Sequence, residues 1–215
     1  MTSLTSIWPL MGLSLATPRL ILRPITDDDI PAAVAAAASG IHDPHQNPFS
    51  NPWTELPPET MGTNMAQWYW RCRGQATPEE WTLLLGIWAG EEFIGCQDIG
   101  AKDFAARKTV STGSWLRQSH QGQGLGKEMR SAALLWAFDW LGAEAAHSEA
   151  AVWNAASLGV SASLGYSNNG VSREKWGAAA KDVQHVRVTA STFIRPEWTL
   201  QVQGHEAAAT FLTAT

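Results

Sequence analysis

The stretch from Ser114 to Gly142, SWLRQSHQGQGLGKEMRSAALLWAFDWLG, reads as the end of a strand, a glycine-rich turn and a helix. Leu125, Met129, Ala132, Trp136 and Trp140 recur at helical spacing and predict one apolar face, with Lys127, Glu128, Arg130 and Asp139 elsewhere on the cylinder. Gly142 is placed to close the helix in a left-handed cap. The turn, Gln121-Gly122-Gln123-Gly124-Leu125-Gly126, sets backbone N–H groups that lack helical partners at the positive end of that helix, and glycine lets a ligand approach them closely. With Lys127 directly behind, this predicts an anion site suited to phosphate or pyrophosphate.

The commoner phosphate motifs do not fit. A P-loop needs Ser or Thr after its lysine, and Lys127 is followed by Glu128. A dinucleotide fingerprint needs Gly-x-Gly-x-x-Gly after the first strand of a Rossmann unit, whereas this spacing is Gly-x-Gly-x-Gly and lies past mid-chain. The segment instead resembles the signature of the GNAT superfamily of acyl-CoA-dependent N-acyltransferases, Gln/Arg-x-x-Gly-x-Gly/Ala, matched by Gln121, Gly124 and Gly126. Two further stretches carry the resemblance. The opening TPRLILRPITDDD, residues 17–29, is similar to the start of the Rim-type branch, and Asn154-Ala155-Ala156-Ser157 through Leu164-Gly165-Tyr166 resembles the second GNAT signature at the family's spacing. The resemblance covers roughly residues 17–194. It implies an α/β fold, a mixed and strongly twisted sheet with helices on both faces, in a single domain over residues 1–215 whose tail, 195–215, has no sequence reading. A narrower likeness, carried by WPL at 8–10, GIHDP at 40–44, PFSNPW at 48–53 and GSWL at 113–116, is to a mycobacterial GNAT protein that transfers succinyl groups.

Composition agrees with one soluble core. The chain has 215 residues, 45% hydrophobic and 16% charged, enough to bury one substantial interior. A net charge of −5 supplies no electrostatic footprint for nucleic acid or an anionic membrane. Two cysteines, Cys72 and Cys96, are too few for a disulfide framework or a metal cluster, so no metal and a reducing cytoplasm are expected. The apolar run from Ile7 to Ala16 follows no Lys or Arg and contains Pro9, which predicts a lead-in segment of the domain rather than a secretion signal.

Along the chain, Leu13 to Ile25 alternates as a first strand, and Thr26 caps a helix whose first turn is acidic and which stops at Ser39-Gly40. Residues 41–58 hold five prolines and no period, a long loop of the kind that is usually functional. Glu59 to Arg73 reads as a helix with Met61, Met65, Trp68 and Cys72 inward; Trp81–Trp88 and Phe93–Ile99 form a hairpin around Gly90; Thr109–Leu116 is the strand that enters the glycine turn. Ala145–Trp153 reads as a strand, Asn154 as the cap of a helix stopped by Gly165, and Tyr166–Trp176 and Gln184–Ile194 as the last strands.

The resemblance also implies site residues. Gln121, Gly122, Gln123, Gly124, Leu125, Gly126 and Lys127 are expected to hold the CoA pyrophosphate, with the pantetheine along Trp115 and Leu116 and the Leu116 main-chain N–H polarising the thioester carbonyl. Asn154 and Ser157 occupy cofactor-contacting positions, and Ser157 is a candidate acid for the departing thiolate because Ser161 stands where many relatives have a tyrosine. Equally, Asn154 reads as a helix cap and Ser157 as a packing residue. The strand position that carries a glutamate base in some Rim-type enzymes is Ser111, which leaves Asp98, His42 or Asp43 to act through water, or to be structural. His42, Asp43, Phe49, Trp53 and Ser111 are expected on the acceptor side; equally, Phe49 and Trp53 read as residues that pin the loop to the core. The implied partners are acetyl-CoA or succinyl-CoA and an amine on a small molecule or protein, with a homodimer expected from GNAT relatives. An acyl-CoA-binding module without catalysis is the reading from another class.

Overall fold

The structure, a computed structural model, describes residues 2–214. A short helix α1 (Leu4–Ile7) and a 3-10 turn lead into β1 (Ser14–Ala16) and β2 (Ile21–Pro24). The expected single first strand is thus two. Pro18 lies in the break, and Thr17 folds back to bond the Leu20 carbonyl. Thr26 caps the acidic turn Asp27–Asp29, with the Asp29 carboxylate returning to the Thr26 amide in a capping box, before α2 (Ile30–Ala38).

Helix α3 (Pro58–Gln75) buries Met61, Met65, Tyr69 and Cys72. Trp68, expected inward, is 47% exposed because the buried stripe runs through Tyr69 instead. Strands β3 (Glu80–Ala89) and β4 (Glu92–Lys102) make the hairpin around Gly90, and a one-turn helix α4 (Phe104–Arg107) leads to β5 (Thr109–Leu116), where the sequence places it. Helix α5 (Leu125–Leu135) continues as a π-helical turn over Trp136–Trp140. The wider turn rotates the register, so that Trp136 is buried while Trp140, expected on the apolar face, is 45% exposed.

Strand β6 (Ala145–Ala151), helix α6 (Ala155–Ser163) and the hairpin β7 (Ser167–Trp176) and β8 (Ala179–Thr189) follow. The last of these strands begins five residues before the expected Gln184 and ends at Thr189 rather than Ile194, since its partner β7 continues the ladder to Trp176↔Ala179. The described part of the tail carries two further elements. Strand β9 (Gln201–Gln203) pairs with β1, and α7 (His205–Leu212) packs Phe211 on Trp8 at 4.9 Å between ring centroids.

The sheet order is β7-β8-β6-β5-β4-β3-β2-β1-β9, mixed because β5 and β6 run parallel and the other neighbours antiparallel. One face carries the larger core, with Leu134, Trp136, Phe138 and Leu212 from α5, its π turn and α7. The other is covered by α2 and α3 through Ala33, Ala36, Met61, Met65 and Tyr69. No described helix is long and apolar enough to cross a membrane.

Candidate functional site

The site begins where β5 and β6 part. Their parallel ladder contains only Thr109↔Ala145, Val110↔Ala146 and Ser111↔His147, after which the strands diverge. Ser148 Oγ still bonds the Thr112 carbonyl at 2.9 Å, but from Ser114 onward β5 has no partner on that side. The Arg117 amide donates to the Ile94 carbonyl, so the adjacent pair Leu116↔Gly95 is a non-bonded one by the alternation of an antiparallel ladder. The Leu116 N–H therefore points away from β4 and into the gap left by β6.

At the wide end of the gap lies the glycine turn. Gly122 and Gly124 have φ of +73° and +78°, conformations that L side chains rarely adopt, and among the described residues the amides of residues 122–127 have no acceptor. They crown the N-terminus of α5 with unpaired donors, a cradle that fits a pyrophosphate. The Gln121 side chain takes no part in this: its amide donates to the Ile41 and Leu116 carbonyls at 2.8 and 2.9 Å, pinning the long loop to the end of β5.

Two residues from the polar side of the α5 pattern prove buried. Glu128, which lies off the apolar face of the helical pattern, is 6% exposed and accepts from Thr17 Oγ1, the Arg19 amide and Arg19 Nε at 2.6, 3.1 and 2.6 Å. It holds Arg19 beside the turn, where Nη1 bonds the Gln123 carbonyl at 3.0 Å. Arg19 is a cation at the glycine turn that no local motif marks. Arg130, also off the apolar face, is 4% exposed and bonds Ser161 Oγ of α6 and Ser114 Oγ of β5, each at 3.0 Å.

On the opposite face of the sheet Asp98 sits on β4 across from Gly113, whose amide donates to its Oδ1 at 2.7 Å. Desolvation pushes the Asp98 carboxyl up to about 6, against the pull of that amide and of the Arg130 charge. An open pocket of about 440 Å³ extends from Asp98, Ser111 and Gly113 to His147 and Glu149 on β6 and His185 on β8. His147 is held below the usual histidine range by desolvation, with Arg187, Arg107 and His185 adding to the effect, so it is neutral near pH 7. Glu149 contacts His185 Nδ1 at 3.3 Å, and Ser172 Oγ lies 2.7 Å from His185 Nε2.

The loop of residues 41–58 is built as a wall beside this face. His42, Phe49, Trp53 and Trp115 form an aromatic series with successive centroids 5.9, 5.3 and 6.1 Å apart. His42 Nε2 bonds Thr54 Oγ1 at 2.8 Å, and Asp43 caps the His45 amide at 2.8 Å, so both side chains serve the loop's own geometry. The tip of the β7–β8 hairpin meets the loop, with Trp176 Nε1 donating to the Asn47 carbonyl and the Gly177 amide to the Ser50 carbonyl, both at 3.0 Å. Asn154 accepts from the Ser157 amide at 3.1 Å as the α6 cap, while Ser157 Oγ has no hydrogen-bond partner among the described residues.

Residues 19–167 match the model of a family described as an acetyltransferase (GNAT) domain. Among solved structures, Mycobacterium smegmatis RimJ in complex with CoA-disulfide superposes with a TM-score of 0.71 at 19% identity, over 94% of this chain and 97% of that one. RimL, a ribosomal L7/L12 alpha-N-protein acetyltransferase in complex with coenzyme A, aligns with a TM-score of 0.64 at 20% identity over 80% of this chain and 95% of its own. The microcin C7 self-immunity acetyltransferase MccE, in complex with acetyl-CoA and AMP, aligns at 0.62 and 15% identity over 80% and 93%.

Proposed function

The chain belongs to the GNAT acetyltransferase family, and from that premise we propose that it is an acetyl-CoA-dependent N-acetyltransferase acting on a primary amine. The observation that carries this is the β5–β6 gap: unpaired amides of residues 122–127 stand at one end, the free Leu116 N–H along its side, and the Asp98 carboxyl on the far face of the sheet.

In this reading Gly122, Gln123, Gly124, Leu125, Gly126 and Lys127 grip the donor's pyrophosphate, with Arg19 adding charge and Gln121 supporting the turn. Trp115 and Leu116 line the donor's arm, Asn154 shapes the start of α6 beside it, and the unbonded Ser157 hydroxyl is available to the leaving thiolate. The Leu116 N–H stabilises charge that develops on the thioester oxygen, an interaction worth about 3 kcal/mol when preorganised. Asp98, ionised above about pH 6, accepts the ammonium proton directly or through a water beside Ser111. Phe49 and Trp53, with His42 and Asp43 holding their loop, wall the acceptor side.

Calorimetric titration with acetyl-CoA, succinyl-CoA and CoA, followed by CoA release across an amine panel, tests the reading. Binding of acetyl-CoA at least as tight as succinyl-CoA, with amine-dependent release, is expected. A clear preference for succinyl-CoA would make the chain a succinyltransferase, and binding without release would make it an acyl-CoA-binding module.

A further inference from the structure

Arg130 is a charge buried without a counter-charge. It is 4% exposed and makes no ion pair among the described residues; its Nη atoms bond two neutral hydroxyls, and its Nε has no partner. An arginine in such a place normally faces a carboxylate, because a lone buried charge is costly. The ionisable groups that feel it are Asp98, across the sheet, and the buried Tyr166 phenol, neither within ion-pair distance. Its position is specific: the guanidinium spans from Ser114 on β5 to Ser161 on α6, bridging the floor of the gap beyond the end of the β5–β6 ladder. Ser161 is itself committed, donating to the Ser157 carbonyl at 3.1 Å.

We propose that Arg130 is the group that stabilises the leaving thiolate of CoA. The proposal rests on the donor lying in the β5–β6 gap. Asp98 takes the ammonium proton to leave a neutral amine; the amine nitrogen then bonds to the thioester carbon, the C–S bond breaks with its electron pair on sulfur, and the nitrogen's second proton leaves to solvent as the amide forms. The sulfur then carries a negative charge in a desolvated slot. A guanidinium cannot hand over a proton near neutral pH, so Arg130 acts as a fixed positive charge rather than an acid, and the thiolate takes its proton from elsewhere, through the Ser157 hydroxyl or from water. Arg130 thereby fills electrostatically the place that Ser161, bonded as it is, cannot fill as an acid. The Ser114 and Ser161 hydroxyls accept from its Nη donors, which offsets part of the cost of burying the charge.

The test is the ultraviolet titration of the CoA thiol bound to the wild-type protein and to Arg130→Gln and Arg130→Lys, with donor KM and kcat measured alongside. In the wild type the bound thiol should ionise at least about one pH unit below free CoA. Arg130→Gln should return it to the free value and lower kcat by roughly 30-fold or more, with donor KM changed far less. Arg130→Lys, which keeps the charge and guards against a variant that does not fold, should recover part of both. An unshifted bound thiol in the wild type, or equal thiol titration in wild type and Arg130→Gln, would overturn the proposal. A loss confined to succinyl-CoA would also overturn it, by making Arg130 a reader of the acyl carboxylate. Failure of CoA to bind the wild-type protein at all would instead sink the donor-site reading, and this proposal with it.

Discussion

Asp98 reaches across the β4–β5 ladder to the Gly113 amide, and only glycine at position 113 leaves it room: a Cβ there would lie 2.5 Å from Asp98 Oδ2. The carboxyl is thus held over β5 by a missing side chain. Gly113→Ala should push it out of place, lowering kcat by at least about tenfold while the pyrophosphate cradle, on another segment, keeps its affinity for CoA. Steady-state kinetics beside calorimetry separate the two effects, and full activity in Gly113→Ala would show that the placement of Asp98 is immaterial.

The raised Asp98 pKa links activity to stability with opposite signs. As a base it works when ionised, so kcat/KM for the acceptor should fall on the acid side with an apparent pKa of about 6, and that limb should vanish in Asp98→Asn along with roughly a hundredfold of rate. Because the folded pKa lies above the ordinary 3.8, the folded state binds this proton more tightly than the unfolded one, and stability drains away as pH rises from about 4 to 6. Asparagine has no such loss. Asp98→Asn should therefore be more stable than wild type by about 3 kcal/mol at pH 7, with the gain fading toward pH 4, by denaturant unfolding at both values.

Gly124 has φ of +78° at the first turn of α5, and its added Cβ would sit 3.5 Å from the Arg19 guanidinium. Gly124→Val should distort the cradle and displace that cation, reducing acetyl-CoA affinity by at least about tenfold with the circular dichroism spectrum retained. Unaltered affinity would place the pyrophosphate elsewhere.

Glu128 receives three hydrogen bonds from the turn before β2 while buried at the start of α5. Glu128→Ala removes the acceptor of the Arg19 amide and Nε and the shorter of the Thr17 Oγ1 bonds, leaving Arg19 tied to the turn only through the Gln123 carbonyl, and a stability loss of about 2–4 kcal/mol is expected in urea unfolding, together with weaker CoA binding. A loss of stability with unchanged CoA affinity would remove Arg19 from the donor site.

The sequence by itself determined the secondary elements whose cause is local. The capping box at Thr26 and Asp29, the hairpin at Gly90, the strand Thr109–Leu116, the glycine turn and the Asn154 cap are each set by residues a few positions apart, so spacing alone reveals them. The family signatures lie in these same segments. Tertiary structure decided what those segments do to one another. The period of α5 sets Glu128 and Arg130 off its apolar face and says nothing of what they meet, because a helical period describes only one helix; their partners, Arg19 109 positions away and Ser161 31 positions away, exist only once the segment before β2 and α6 are packed against α5. Trp140 and Trp68 face solvent through a π turn and a shifted stripe, and β9 and α7 form because β1 offers an open edge and Trp8 a surface to cover. The Asp98 carboxyl owes its raised pKa to burial beside Gly113, and the free Leu116 N–H to the parting of two strands. Desolvation and the loss of a ladder partner are properties of the surroundings, and a side chain's surroundings are assembled from distant parts of the chain.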